Sequence, residues 1–219
     1  METAFGKRLD RVRQASPLVH CISNLVTAND CANVVLAAGA SPIMADAPEE
    51  VREITALSRA LCLSLGTPNP RKADAMFLAG RKAAELGLPV VFDPVGVGAS
   101  AYRQEIARKL LQDIPLTVLR CNASELQTLS GQSLVSRGVD AGKAPELETL
   151  LLLAGRFAAA HHCIVAVTGA EDIVTDGTTA YGIRSGTPLL RQVTGTGCML
   201  SVLTAAFVGA NPEAPLEAA

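Results

Sequence analysis

The chain is expected to fold as an α/β protein, a three-layer α/β/α domain with a mainly parallel central sheet. Three observations predict this. Residues 61–65 (with a polar Ser64), 88–92, 116–119 and 163–168 are short apolar runs. They are continuous rather than alternating, as strands covered on both faces must be. Helical segments separate them, which implies βαβ units with right-handed crossovers. Finally, 219 residues that are 49% hydrophobic suit a single domain, 1–219, with a substantial core.

Asp46 precedes Pro48 and Glu49, an N-cap pattern with a proline and an acid in the first turn. Val51, Ile54 and Leu57 then follow at helical spacing. Asn69-Pro70 opens the next helix, and Leu86-Gly87 with Pro89 closes it. Segments 102–111, 122–130 and 146–161 are further helices. Residues 172–175 and 178–183, joined by Asp176-Gly177, read as a hairpin with a tight turn. That hairpin belongs at an antiparallel edge of the sheet. Residues 137–143 read as a mobile loop, and no repeat, low-complexity segment or linker divides the chain.

Composition narrows the function. A net charge of -2 gives no field that would attract nucleic acid or an anionic membrane, and 3% aromatics supplies no base-stacking surface. No apolar run reaches membrane-spanning length. The charged, mixed N-terminus METAFGKRLDRVRQ lacks the apolar centre of a signal peptide, so a cytoplasmic protein is expected. Cys21, Cys31, Cys62, Cys121, Cys163 and Cys198 include no Cys-x-x-Cys pair. They are expected to be small buried hydrophobes rather than zinc ligands or disulfides.

In an open α/β sheet, ligands bind beyond the carboxyl ends of the strands. Gly66-Thr67, Asp93-Pro94-Val95-Gly96-Val97-Gly98 and Arg120-Cys121-Asn122 follow the first three runs, and the fourth ends at Thr168 with Gly169 next. An acid, an arginine, a threonine and several glycines on one edge suit a metal-bound polyphosphate. Gly195, Thr196 and Gly197 enter the apolar stretch 199–208, so free N–H groups and a helix dipole would form an anion hole. The turn is neither a Walker A loop nor a dinucleotide fingerprint.

Each of these residues also has a plain structural reading. Asn122 and Glu125 have the spacing of a capping box. Asp93 before proline can close a turn, Arg120 can form a structural ion pair, and Thr168 can be a turn residue. His20 and Met44 suit a core; His161 and His162 suit a helix end. Cys198 is either a small filler of the first helical turn or a thiol placed to act on an acceptor hydroxyl. No histidine motif pairs with it, which removes a cysteine hydrolase.

Five segments taken in order resemble the hydroxyethylthiazole kinase family of the ribokinase-like superfamily. They are His20-Cys21-Ile22-Ser23-Asn24-Leu25-Val26-Thr27, Gly39-Ala40-Ser41-Pro42-Ile43-Met44, Asp93-Pro94-Val95-Gly96-Val97-Gly98-Ala99, Asn122-Ala123-Ser124-Glu125 and Thr194-Gly195-Thr196-Gly197-Cys198. The resemblance runs over 17–207. It implies transfer of the terminal phosphate of ATP, with Mg²⁺, onto the hydroxyl of 4-methyl-5-(2-hydroxyethyl)thiazole for thiamine synthesis. It implies that Asn24, Met44 and Gly195 line the thiazole pocket, and that Arg120 and Thr168 contact the nucleotide. Asp93 and Glu125 would hold or orient Mg²⁺ and its waters, and Cys198 stands where many sugar kinases of the superfamily carry an aspartate base. A homotrimer with the thiazole site at the subunit boundary is implied as well.

Three departures accompany the resemblance. Cys121 replaces a glycine of the family pattern, and Ser64-Leu65-Gly66-Thr67 replaces Asn-x-Gly-Thr. Both changes are expected on the nucleotide or substrate edge, where they would alter affinity. Family chains also continue with further helices where this one ends at Ala219, so a domain short of those helices is expected. Two other readings follow. One is a hydroxymethylpyrimidine or pyridoxal-type kinase. The other is a truncated thiazole-binding protein with little turnover.

Overall fold

Alternation of side chains along each strand decides the architecture. The computed structural model describes residues 4–131 and 147–219. Among them, strands β1 (Leu18–Ile22), β2 (Ser41–Ile43), β3 (Ala60–Ser64), β4 (Val90–Asp93), β5 (Val118–Asn122), β6 (Ile164–Thr168), β7 (Asp172–Thr175) and β8 (Ala180–Ile183) form one sheet, in the order β2-β1-β3-β4-β5-β6-β7-β8. Strands β1 to β6 run parallel, and β7 and β8 complete it antiparallel.

Leu61, Leu63, Val90, Phe92, Leu119, Cys121, Val165 and Val167 point to one face. There they meet α4 (Pro70–Leu86), α5 (Ala101–Asp113), α6 (Ala123–Leu129) and α7 (Leu147–His161). The alternate residues Ala60, Cys62, Val91, Val118, Ile164 and Ala166 face α1 (Ala4–Ala15), α2 (Ala28–Ala38) and α8 (Thr196–Ala210). The second face is built of smaller side chains, so its helices lie close. A Cβ on Gly209 of α8 would stand 3.0 Å from that of Ala60. A short α9 (Pro215–Ala218) packs beside α1 and α8.

The expected buried strands and the hairpin are all present, with boundaries shifted by up to three residues. Asn69 caps α4 by accepting from the Lys72 N–H, and Gly87 closes it in the left-handed region at φ 64°. The hairpin turn is wider than a two-residue Asp-Gly loop. It spans 176–179, with Asp176 Oδ1 accepting from the N–H groups of both Thr178 and Thr179. One cap is corrected. Asp46 does not open α3 (Val51–Leu57); the chain first turns at 47–50, and α3 begins after Glu50 without a side-chain cap. The expected loop at 137–143, and Glu146 as the start of α7, lie outside the described residues.

All six cysteines are buried and unpaired, as expected. His20 is a satisfied core residue, bonded to Thr55 Oγ1 and the Ala45 carbonyl, and burial lowers its pKa. Met44 does not pack in the core, as its plain reading required: it follows β2 and is 36% exposed. No described helix is long and apolar enough to cross a membrane.

Candidate active site

The parity that builds the core also builds the site. Ser64, Asp93 and Thr168 end their strands, Arg120 lies within β5 between them, and all four share parity with the residues facing α8, so they gather where α8 begins. Asp93 is 1% exposed. Its Oδ2 accepts from Ser201 Oγ at 2.7 Å and lies 3.9 Å from Arg120 Nη1. Its Oδ1 is buried with no hydrogen-bond partner. Burial pushes this carboxyl up to about 6 against the opposing charge of Arg120 and the Ser201 bond, and the negative charge of Glu125 raises it further. Arg120 donates from Nη2 to Thr168 Oγ1 at 2.6 Å, while its Nε is buried and unsatisfied.

Gly197 is required by this cluster, because a Cβ there would stand 2.6 Å from Arg120 Nη1. Gly195 caps α8 at φ 84°, and a Cβ on it would collide with Thr27. The glycine turn therefore sits between Arg120 on one side and the loop after β1 on the other. On that second side, the Asn24 amide Nδ2 is 3.9 Å from Cys198 Sγ, and its Oδ1 accepts from the Val26 N–H at 3.1 Å. A Cβ on Gly66 would stand 2.6 Å from Asn24 Cγ. Met44 stands one strand further out and apart from these contacts.

Glu125 has a dual character. Asn122 and Glu125 form the expected capping box, with Glu125 Oε2 accepting from the Asn122 N–H at 2.9 Å. Its Oε1 also accepts from the Gly96 N–H at 2.9 Å, which ties the β4 loop to the end of β5. Two further charged groups tie neighbouring loops, and no motif pointed to either. Arg103 Nη1 donates to the carbonyls of Leu65 and Val95. Lys72 Nζ donates to those of Ser23 and Gly66, both at 2.6 Å. Ser201 escaped notice too; its only signal is its position one helical turn beyond Gly197.

These residues suit a divalent cation. An unpartnered buried carboxylate oxygen costs about 1–3 kcal/mol, which a bound cation would offset. Among the described residues no group of three His, Cys, Asp or Glu side chains could hold a metal. That is compatible with magnesium, which keeps several waters and relies on one or two carboxylates together with substrate phosphates.

A model of the hydroxyethylthiazole kinase family matches residues 9–219. The chain belongs to the hydroxyethylthiazole kinase family. The hydroxyethylthiazole kinase of Clostridium acetobutylicum is 46% identical over 217 residues, covering 97% of this chain and 80% of that protein. The solved structure of the Pyrococcus horikoshii hydroxyethylthiazole kinase superposes with a TM-score of 0.87 at 39% identity, over 98% of this chain and 79% of that one. Bacillus subtilis pyridoxal kinase shares the fold, with a TM-score of 0.65 at 19% identity over 92% and 86% of the two chains. The ribokinase-like architecture expected from the resemblance is therefore present.

Against the hydroxyethylthiazole kinase pattern, the two departures behave differently. The Cys121 side chain is not on the nucleotide edge; it lies fully buried in the opposite core layer, and only its carbonyl reaches Thr168 Oγ1 at 3.4 Å. Ser64 does lie on the edge. It sits in register with Asp93, and its Oγ accepts from the Gly66 N–H at 3.3 Å.

Proposed function

We propose that the chain is one kinase domain that transfers the γ-phosphoryl group of ATP to the hydroxyl of 4-methyl-5-(2-hydroxyethyl)thiazole, giving the thiazole phosphate used in thiamine synthesis. The observation that carries this reading is the juxtaposition at the start of α8. Asp93 and Arg120 meet the glycine turn from one side, and Asn24 with Cys198 meets it from the other. Family membership supplies the identity of the alcohol.

In this reading Arg120 and Thr168 hold the nucleotide phosphates. Asp93, through its free Oδ1, and Glu125, through its immediate surroundings, are the residues that would hold or orient Mg²⁺ and its waters. The ion would supply positive charge that offsets the negative charge of the phosphates. The backbone N–H groups of Gly195, Thr196 and Gly197 face the charge that grows on the transferred group. Asn24, Met44 and Gly195 hold the thiazole. The acceptor oxygen bonds to the γ-phosphorus as the bond to the bridging oxygen of ADP breaks. Cys198 orients the hydroxyl, and as a thiolate it would take the proton late to become a thiol, since a loose transition state needs little base assistance.

A homotrimer with the thiazole site at the subunit boundary belongs to the same proposal. Leu25 is 81% exposed, Val26 is exposed beside it, and Met44 lies partly open on the adjacent strand end. A neighbouring copy would cover these apolar groups and finish the pocket. Six unpaired buried thiols support placement in the reducing cytoplasm.

A coupled ADP-release assay with a panel of alcohols tests the substrate. The thiazole alcohol should be preferred over hydroxymethylpyrimidine and pyridoxal by on the order of a hundredfold or more in kcat/KM. Turnover of a pyrimidine or pyridine alcohol without turnover of the thiazole would overturn the reading.

A further inference from the structure

Lys72 has no place in the proposed chemistry, yet it is only 4% exposed. Burying an ammonium group is costly unless it is well bonded. No carboxylate lies within ion-pair distance of it among the described residues; it is held by two carbonyls instead. Burial lowers its pKa to about 8, and the nearby charge of Asp46 counteracts this only in part. A buried cation with no paired anion demands a reason beyond packing, and the place it occupies supplies one.

The two carbonyls belong to the two walls that meet at Asn24. Ser23 O is the acceptor of the peptide that leads directly into Asn24. Gly66 is the residue whose Cα abuts the Asn24 side chain so closely that no Cβ fits. A second bond joins the same two loops, from the Leu25 N–H to Thr67 Oγ1 at 3.1 Å. Thr67 adopts φ 48°, a conformation β-branched residues rarely take, so the β3 loop is itself held under strain. Asn24 in turn reaches Cys198.

We propose that Lys72 is a positioning residue for the acceptor alcohol. Its ammonium group clamps the β1 loop to the β3 loop, and so fixes Asn24 against Cys198. It acts on the alcohol half of the site and leaves the nucleotide half, which is tied by Glu125 and Arg120, unaffected. This rests on the kinase reading above, so wild-type turnover of the thiazole alcohol is measured first; absence of turnover there would count against that reading and not against the clamp.

The test is steady-state kinetics of Lys72→Met, with both substrates varied. The KM for the thiazole alcohol should rise about tenfold while the KM for Mg-ATP stays within about twofold. Ala83→Gly weakens the same helix by roughly 1 kcal/mol without touching the clamp, and should leave both KM values in place. Equal changes in the two KM values, or a change in Ala83→Gly that matches Lys72→Met, would overturn the proposal. Gly66→Ala provides the same reading if Lys72→Met does not fold, because its new Cβ displaces Asn24 directly. An unchanged alcohol KM in Gly66→Ala would overturn the proposal too.

Discussion

The two halves of the strand-end rim are held together by different means. At β4, β5 and β6, ionised side chains bond across the gaps between strands: Asp93 near Arg120, Arg120 to Thr168, and Glu125 to two backbone N–H groups. That half retains unsatisfied polar atoms, Asp93 Oδ1 and Arg120 Nε. At β1 and β3 the contacts are close backbone approaches and carbonyls gripped by one cation. Its surface there is apolar, with Leu25 and Val26 exposed. The difference teaches what each half is for. In the proposed reading, unsatisfied charge suits a charged ligand, whereas a rigid wall with an uncovered apolar margin suits a small heterocycle and a neighbouring copy.

The comparison breaks most sharply at the seam. Gly197→Ala places a methyl group against Arg120 Nη1 at the mouth of the anion turn. We expect turnover to fall by on the order of a thousandfold, the size of effect seen when an oxyanion donor is lost. Calorimetry should still find thiazole bound within about twofold of wild type. Loss of thiazole binding to the same degree would mean that the two halves are not separate. Cys198→Ala comes next, on the alcohol side of the seam. A fall in kcat of about a hundredfold, with a much smaller loss of thiazole affinity, would mark a group acting on the reacting hydroxyl. Cys198→Asp should retain turnover, and a folded but inactive Asp variant would remove the proton-accepting role.

The smallest effect concerns stability. Lys72 titrates at about 8 in the folded chain, against an ordinary 10.5. Between those values the unfolded chain binds more protons than the folded one, so this group's contribution to stability rises as the pH climbs. The Lys72→Met variant carries no such proton. Urea midpoints should therefore shift in favour of wild type, relative to the variant, between about pH 8 and about pH 10. A constant difference across that window would mean that burial does not lower the Lys72 pKa in the folded chain.

How much of this was legible beforehand follows from where the information resides. Asp93, Arg120 and Thr168 were readable because Asp93 and Arg120 directly follow a continuous apolar run and Thr168 ends one, and the ends of such runs mark the ligand edge of a parallel sheet. Strands β1 and β2 were not, since β1 carries His20 in its middle and β2 is three residues long with Pro42 at its centre. Helix α2 lacks a side-chain cap and gives no start signal. Asp46 misled for the opposite reason: an acid two residues before a proline looks like a cap, but only the packing of α3 sets where its first turn forms. Glu125 forms the capping box its spacing indicated, and its Oε1 bond to the Gly96 N–H leaves it beside the site proposed for the metal. Lys72, Arg103 and Ser201 project from helix faces and reach Ser23, Leu65 and Asp93, each distant in sequence, so only the tertiary structure discloses their work.

The most direct test of the central claim is product identification after a single turnover at saturating thiazole alcohol and Mg-ATP. The account predicts one equivalent of ADP and a phosphate monoester on the hydroxyethyl oxygen, seen by mass spectrometry and phosphorus NMR. Thiazole bound at stoichiometry, with ATP intact and no phosphate ester formed, would contradict it and leave a binding protein in its place.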